Sequence, residues 1–512
     1  MLHQLIATAS KLAAPKARVG GPGRLALVAM EAPTLTMTPP RRRWAVLASF
    51  GFTAGCNALM FMDFSTVSVL SDDVYSISDD QLNWIYSISL LTVLPFTFPA
   101  AYFLVRSNWS ASLVGVILNV AGAWLRMVAV YSRSYDLALV SSVLIGAAAS
   151  IVICSYTPIA ERWFPRSEQA LATSIAVQCN YAGWAIGSLI PLFVAGTGEA
   201  GLQSMERFQL AQAILVSLSL PLFLICYRAN PEPATGLLAV GSFLDSHDSH
   251  GDGGELTPLE SVQRLGCKAQ YWVHAIAYSA LGGISFAIPA VQDTIFEQLA
   301  ISASCTLWTN FAFIACGIVA GLVLGASVKE QRLHAPVLRS LFILSSLALT
   351  GLVVLVYLSP HIARSTLFGL LVLCMALAGV GSLGFIGIAL RTMVDVSQPV
   401  SEVYSGGSVE WLIQGWGALF TQISVPAAAA VAASPPAPPA PPSLPAGDAG
   451  FCSDAETAGL EPASDAYLDF VPVAACAWAA TLLLIFCARY TPKTDTLLNG
   501  SGRPSAQLSS TH

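Results

Sequence analysis

The chain has 512 residues, of which 55% are hydrophobic and only 11% are charged, whereas soluble globular proteins carry about 25% charged residues. Its formal net charge is -6, and it has no basic stripe of the kind that phosphate contacts in nucleic acids require. Composition therefore argues against a soluble globular protein and against a nucleic-acid partner, and it indicates a chain that lies in a lipid bilayer.

Apolar stretches long enough to cross a bilayer recur along the whole chain. The run from Leu137 to Ala160 exceeds the roughly 18 apolar residues that mark a helix crossing about 30 Å of hydrocarbon. The apolar pattern predicts about twelve transmembrane helices, six on each side of a polar stretch. The predicted spans are 44–70, 82–105, 109–131, 137–160, 170–196, 208–228, 271–293, 305–328, 336–358, 365–390, 404–430 and 467–490. The predicted fold class is therefore an all-α polytopic membrane protein.

The segments outside the spans complete the predicted organisation. The parts are a disordered cytoplasmic N-terminal tail at 1–43, an N-terminal six-helix bundle at 44–228, a cytoplasmic connector at 229–270, a C-terminal six-helix bundle at 271–490 and a cytoplasmic tail at 491–512. The connector contains "DSHDSHGDGGE", which we interpret as a flexible linker rather than a His-rich metal site. A disordered external loop at 431–466 is predicted from "SPPAPPAPPSLPAG", which favours an extended polyproline conformation.

Basic residues near the ends of the spans are distributed asymmetrically. Arg106, Arg162 and Arg391 are among those on the side that holds both termini, whereas Arg133 and Arg207 fall on the other side. Short cytoplasmic loops hold an excess of Lys and Arg. Both termini and the connector are therefore predicted to be cytoplasmic.

The first forty residues carry basic side chains but no acid before Glu31, a bias that organelle transit peptides share. The alternative, which we favour, is that translation starts at Met30 or Met37. The plasma membrane is the predicted location, with an organelle membrane as the alternative. The basic side chains are Lys11, Lys16, Arg18 and Arg24.

Motifs for enzyme chemistry are missing from the sequence. It has no HExxH zinc motif, no Walker loop and no nucleophile elbow, and of the seven histidines only His274 falls within a predicted span. Most of the eleven cysteines lie in spans, where they act as small buried residues, and Cys305 and Cys452 are the candidates for a disulfide. We predict a protein that is not an enzyme and that binds no metal or cofactor.

Polar groups inside spans are candidates for a substrate path, because placing them in lipid is costly. Asp63, near the outer end of the first span, is either a rim residue that reaches water or a cavity residue. Arg126 in the third span either serves the cavity or snorkels to the surface, and Glu410 lies in the eleventh span. The uncharged candidates are Asn57, Asn119, Gln178, Asn180 and Gln414.

Helix breaks and aromatic rings give a second set of candidates. Pro289 follows Gly282 and Gly283 in the seventh span, where a bend can serve as a gate, although ordinary helix packing explains such residues too. Aromatic rings in spans either pack or form a wall that holds an organic cation by cation–π attraction. These rings are Phe61, Tyr181, Phe286 and Trp411.

Several motifs occur in an order and spacing that resemble one known family. They are "CNALMF" in the first span, "LNWIYS" and "PFTFPA" in the second, "NVAGAWLRM" in the third, "TPIAERWFP" in the fourth, "CNYAGWAIG" in the fifth, and "DVSQPVSE" with "LIQGWG" in the second half. Together they resemble the feline leukaemia virus subgroup C receptor-related transporters of the major facilitator superfamily. The resemblance implies two pseudo-symmetric six-helix bundles around a central cavity, which moves a small organic solute by alternating access.

The same resemblance suggests which residues bind the substrate. Phe61 and Phe286 stand at the aromatic pair that choline-carrying members use, and Gln414 matches a glutamine of the eleventh helix. Tyr181 stands where the fifth helix of the family has a glutamine, and it follows Asn180. Phenylalanine is a weaker cation–π partner than tryptophan, so these positions depart from the family.

A further departure concerns the contact that closes the family's two bundles against each other. Val105 and Lys329 occupy positions where relatives have acids, and Arg391 stands where they often carry another. The acidic residues Asp395 and Glu402 of the motif "DVSQPVSE" are still present.

A choline- or ethanolamine-like cation is the favoured substrate. The alternatives are haem and a proton-coupled vitamin or metabolite, for which Asp63 or Glu410 would titrate. A transport-inactive receptor or scaffold is the alternative of another class. The predicted partners are the small-molecule substrate and the lipid bilayer, and the predicted oligomeric state is a monomer.

Overall fold

Helices form most of the chain that the computed structural model describes, which comprises residues 42–63, 79–190, 194, 198–227, 258–299, 301, 303–431 and 471–490. The helices are α1 (Arg42–Met62), α2 (Asp79–Arg106), α3 (Asn108–Ser132), α4 (Tyr135–Trp163), α5 (Arg166–Gly187), α6 (Gly198–Ser217), α7 (Ser219–Cys226), α8 (Pro258–Gly266), α9 (Ala269–Gln298), α10 (Ala303–Ser327), α11 (His334–Tyr357), α12 (Arg364–Ser382), α13 (Ile386–Ser397), α14 (Glu402–Val431) and α15 (Val471–Phe486). Short 3-10 turns at Gln331–Leu333 and Ser359–His361 flank α11. The disorder predicted for the Pro-rich loop and the two tails falls outside the described residues, apart from the first residues of α1 and the last of α14.

Each predicted span coincides with one helix or with two consecutive helices, so the all-α fold is confirmed. Nine helical stretches in the described ranges are long and apolar enough to cross a membrane, and α15 is a shorter apolar helix. Large apolar side chains such as Ile225 and Phe486 face outward, as lipid-facing positions require. α1 begins at Arg42, so residues 42 and 43 belong to the first helix rather than to the predicted tail.

The sixth predicted span, 208–228, is divided between α6 and α7. α6 ends at Ser217, one turn before Pro221. Proline has no amide hydrogen to donate to the carbonyl four residues earlier, so an uninterrupted helix is disfavoured there.

The tenth predicted span, 365–390, is also divided, with Leu383–Phe385 forming a turn between α12 and α13. The Leu383 carbonyl accepts a hydrogen bond of 3.2 Å from the Gln178 side chain of α5. A carbonyl released from the helical ladder needs such a partner in an apolar environment.

Part of the predicted flexible connector is helical. α8 begins with Pro258, has Glu260 in its first turn and Arg264 in its last turn, an arrangement that favours a helix at both ends. Leu265 is buried, whereas Leu259 is exposed. The sequence therefore held helix signals that the low apolar content of the connector obscured.

Small residues let the helices approach closely. α1 packs along α5, and a Cβ added at Gly183 of α5 would lie 2.1 Å from the Gly55 carbonyl oxygen of α1. The two halves of the chain meet where α14 packs on α2 and α4, and where α5 packs on α10 and α13. There a Cβ at Gly406 would lie 2.6 Å from Oγ1 of Thr157, so the α14 backbone at Gly406 packs directly against the Thr157 side chain of α4.

One of the two cysteines predicted to form a disulfide lies in the described residues. Cys305, at the start of α10, is disulfide-bonded, and its predicted partner Cys452 lies outside the described residues. Cys267 and Cys487 are free and exposed.

Candidate functional site

A central cavity lies between the two halves of the chain. α1, α2, α4 and α5 line it from the first half, and α9 and α14 line it from the second. The lining side chains are Asn57, Ala58, Phe61, Leu90, Val93, Ala149, Ile153, Tyr156, Val177, Asn180, Tyr181, Trp184, Phe286, Glu410 and Gln414.

Three aromatic rings form one wall of this cavity. Trp184 of α5 stacks on Phe61 of α1, with ring centroids 6.3 Å apart and planes inclined by 22°. Trp184 also meets Phe286 of α9 edge to face, with centroids 5.0 Å apart. The ring row Phe61–Trp184–Phe286 therefore joins both halves, with the indole in its centre.

The polar part of the lining combines amides, phenols and one carboxyl group. Asn180 donates a hydrogen bond of 3.3 Å to the Ala54 carbonyl, which fixes its side chain against α1. Gln414 of α14 is partly exposed to the cavity and offers both a donor and an acceptor. Tyr156 and Tyr181 are buried in the same lining.

Asn57, although it reaches the cavity, is engaged in packing. Its amide nitrogen donates to the Asn119 side chain at 2.7 Å and to the Ile145 carbonyl at 3.1 Å. It thereby connects α1 to α3 and α4. This residue positions the wall and leaves Asn180 and Gln414 as the amides better placed for a ligand.

Glu410 is the acidic side chain of the cavity lining. It is only 4% exposed, and its Oε1 atom has no hydrogen-bond partner among the described residues. The described lining contains no Lys, Arg or His. The cavity thus presents one carboxyl group and aromatic faces, with no basic side chain to balance the acid.

Asp63 and Arg126 lie away from the cavity and pair with each other. Arg126 Nη1 is 3.3 Å from Asp63 Oδ2, and the two side chains are 2% and 0% exposed. Gln212 and Gln209 of α6 donate to the same carboxylate oxygen at 2.6 and 3.2 Å. Asp63 therefore does not reach water at the rim, and it joins α1, α3 and α6.

Arg126 does not snorkel to the surface. Its guanidinium donates to Ser141 Oγ at 3.2 Å and to Ser142 Oγ at 2.7 Å, both on α4, and also to the Met60 carbonyl. These hydrogen bonds offset the cost of removing the guanidinium cation from water. The structure thus places this pair as a link between helices, and its role in coupling stays a prediction.

Pro289 lies inside α9, three residues beyond Phe286. α9 continues past it to Gln298. Its predicted gating role stays a prediction.

Ion pairs connect the two halves at the end of α4. Glu161 pairs with Arg391 of α13, and Arg162 lies 3.5 Å from Glu402 of α14. Arg391 also pairs with Asp395 at 2.9 Å. Val105 and Lys329 cannot supply the acids of the family's contact between the two bundles. In this chain the ion pairs of Arg162 and Arg391, one arginine on each half, connect the halves instead.

His274 is buried in α9 and lines a second pocket instead of the cavity. Tyr278, Thr392 and Tyr490 also line that pocket. The described lining of the central cavity contains neither His nor Cys, which are the usual haem ligands.

Sequence reasoning missed Trp184, Tyr156 and Glu161. Trp184 lies one helical turn after Asn180 and Tyr181 in the motif "CNYAGWAIG", so helical spacing was a signal for its place on the same face. Tyr156 and Glu161 lie near Pro158 in the fourth span, and their partners belong to distant helices that sequence spacing does not reveal.

Comparisons with known proteins give a consistent result. The family profile described as Major Facilitator Superfamily matches residues 53–421. The choline/ethanolamine transporter flvcr2a of Danio rerio is 23% identical over 390 residues, covering 75% of this chain and 80% of that protein. The choline/ethanolamine transporter FLVCR2 of Homo sapiens is 24% identical over 394 residues, covering 74% and 71%.

Solved structures show the same fold. The fucose:proton symporter FucP of E. coli aligns with a TM-score of 0.57 at 14% identity, over 86% of this chain and 98% of that one. A structure of FucP in the outward conformation aligns with a TM-score of 0.59, over 87% and 100%. At this identity the likeness concerns the fold alone.

Proposed function

The chain belongs to the Major Facilitator Superfamily and is a membrane transporter of a small organic solute, and we propose that its substrate is a choline- or ethanolamine-like cation. Transport by alternating access follows from a cavity that lies between two helical halves. The observation that carries the substrate proposal is the ring row Phe61–Trp184–Phe286 on the cavity wall.

An organic cation must lose water when it enters an enclosed cavity. Aromatic faces return about 0.5 to 2 kcal/mol for each cation–π contact, and tryptophan is the strongest partner. Phe61 and Phe286 alone would make a weak cage. Trp184, 6.3 Å from one ring and 5.0 Å from the other, supplies the indole that these two positions lack.

The rest of the lining supports a small polar head group. Gln414 and Asn180 can each accept a hydrogen bond from a hydroxyl or an ammonium group. The Danio rerio and Homo sapiens relatives carry choline and ethanolamine in their names. Haem is the weaker candidate, because a lining without His or Cys leaves Tyr156 and Tyr181 as its candidate axial ligands.

The substrate proposal is tested by uptake of labelled choline and ethanolamine into proteoliposomes. Phe61→Ala, Trp184→Ala and Phe286→Ala should each raise KM by about twofold to thirtyfold, the equivalent of 0.5 to 2 kcal/mol. Trp184 should show the largest effect. Phe61→Trp should lower KM, because it adds a second indole.

The matched control is Phe103→Ala, since Phe103 is exposed on α2 and does not line the cavity. If the three alanine variants take up choline as the unaltered protein does, the ring row is not the cation site and choline binds elsewhere in the protein. If the unaltered protein moves none of choline, ethanolamine, haem or pyridoxine, a receptor or scaffold role replaces transport.

We also propose that the transporter lies in the plasma membrane, as a monomer, with its termini in the cytoplasm. The basic residues near the ends of the spans support this orientation. So does the disulfide at Cys305, because disulfides persist on the oxidising side of a membrane and the predicted topology puts Cys305 on the outer face. One chain supplies the whole cavity lining, so a second copy is not needed to complete it.

A further inference from the structure

Glu410 and Gln414 project from one face of α14 into the cavity. They are four residues apart, which places them one above the other on a helix. Gln414 is partly exposed, whereas Glu410 is 4% exposed and its Oε1 atom has no hydrogen-bond partner among the described residues. Glu410 is thus a buried acid in a site whose described lining is otherwise uncharged.

The two buried acids, Asp63 and Glu410, differ in the partners that surround their carboxyl groups. Asp63 has Arg126 at 3.3 Å and two glutamine amides on one oxygen. Glu410 has no basic side chain beside it in the described lining. An ionised carboxylate without a cation is very costly in an apolar interior, so Glu410 needs either a proton or a positive ligand.

Among the described residues, the neighbouring helices place no Lys, Arg or His in the cavity lining beside Glu410. Cys154 and Tyr156 of α4 and Tyr181 of α5 are the titratable groups that interact electrostatically with Glu410. α2 contributes the apolar Leu90 and Val93 to the lining, and α1 contributes no titratable group.

The remaining elements packed on α14 are α8, α9 and α13. The charged residues of α8, Glu260 and Arg264, are exposed. Tyr271 of α9 bonds to Ser408 and to the Ser405 carbonyl of α14. Arg391 of α13 pairs with Glu161 and Asp395. Tyr271 and Arg391 thus already have partners. The charge of an ionised Glu410 must therefore be balanced by a cation that enters the cavity.

We propose that Glu410 carries a proton while the cavity is empty and gives it up when the cationic substrate binds, so that the protein exchanges one organic cation for one proton. This inference rests on the proposed function, because it needs a positively charged substrate. Binding converts the neutral carboxylic acid and a free cation into a carboxylate–cation pair and a released proton. When the cavity opens to the other side, the cation leaves and a proton from that side returns to the carboxylate.

The exchange conserves the charge of the site in every loaded state. Each state holds either a proton or the cation, and never neither, since the bare carboxylate is the costly species. Substrate and proton therefore compete for Glu410. By linkage, the affinity for the cation should rise about tenfold for each pH unit, as long as the empty site is protonated.

Proton release can be measured directly on the full chain in detergent. Choline is titrated into the protein in weakly buffered solution with a pH indicator dye, and binding is followed by calorimetry from pH 5.5 to 8.5. About one proton should appear for each choline bound, and Kd should fall as the pH rises. Glu410→Gln should release none and should bind choline with a Kd that does not depend on pH.

The matched control is Glu330→Gln, the same chemical change at an exposed residue that pairs with Arg332. It should retain the proton release and the pH dependence. In proteoliposomes, a lumen more acidic than the medium should make the unaltered protein concentrate choline inside, and Glu410→Gln should only equilibrate it.

The outcomes separate this inference from the function on which it rests. Choline binding or transport without proton release and without pH dependence would overturn the exchange and leave a cation uniporter. If neither choline nor ethanolamine binds at any pH, both proposals fall. If Glu410→Gln does not fold, the proton count and the gradient-driven uptake of the unaltered protein still decide.

Discussion

Asp63 accepts hydrogen bonds from side chains of two other helices, Arg126 of α3 and Gln209 and Gln212 of α6, so its substitution should affect stability. Asp63→Asn would remove the carboxylate that lies 3.3 Å from the Arg126 guanidinium, which is 2% exposed. Breaking a buried ion pair from one side costs about 3 to 5 kcal/mol. We expect this variant to lose several degrees in Tm, as measured by scanning fluorimetry of the purified protein.

The double variant Asp63→Asn with Arg126→Gln supplies the control. Because it removes the buried cation together with the carboxylate, it should recover part of the lost stability. A variant Asp63→Asn with unchanged Tm but altered pH dependence of uptake would instead show that Asp63 couples transport to protons.

Individual residues show what sequence reasoning reaches and where it stops. Phe61, Phe286 and Gln414 were placed by a family resemblance and line one cavity. Asp63 and Arg126 were recognised as costly groups, yet their pairing depends on how α1 meets α3, which no periodicity in the sequence encodes. Position on a helix face is readable from sequence, whereas the partner across the interface is not.

At the scale of helices, the ion pairs at the end of α4 hold the two halves together on one side. Glu161 pairs with Arg391, and Arg162 lies 3.5 Å from Glu402. These pairs are partly exposed, so each should contribute about 1 kcal/mol to the closed state. Glu161→Gln together with Glu402→Gln should shift the protein toward opening at this end by about fivefold to thirtyfold.

The opening can be followed at Cys154, a free and buried cysteine on α4 that faces Gly407 of α14. Its rate of maleimide modification, resolved by mass spectrometry of the peptide, should rise in the double variant. Glu330→Gln is again the control. An unchanged rate would mean that glycine-mediated packing of α4 on α14 holds this end closed without the ion pairs.

Helix boundaries show the same division between local and tertiary causes. The twelve spans were predicted because their apolar length is a local property. The interruption before α13 was not predicted, because it depends on a distant residue: Gln178 of α5 donates a hydrogen bond to the Leu383 carbonyl. α8 was missed for the opposite reason, since its helix signals at Pro258 and Arg264 are local but its composition is polar.

At the scale of the whole molecule, orientation in the membrane is open to a test with native cysteines. Cys267 and Cys487 are free and exposed, and both lie on the predicted cytoplasmic side, before α9 and after α15. An impermeant maleimide added to intact cells should leave them unmodified, whereas permeabilised cells should show labelling. Cys267→Ser with Cys487→Ser should remove most of that second signal, and labelling of either residue from outside would reverse the topology.

The ring row on the cavity wall is shared unequally between the halves, with Phe61 and Trp184 on one and Phe286 on the other. Any movement that parts the halves must separate Trp184 from Phe286. A cation small enough to contact all three rings stabilises the arrangement in which the halves are together. A longer cation that stacks on Trp184 and keeps Phe286 at a distance prevents that arrangement. Inhibitor design for this protein therefore has a geometric rule: a quaternary ammonium group should bear a bulky aromatic arm directed at Phe286, so that it wedges the halves apart as it binds.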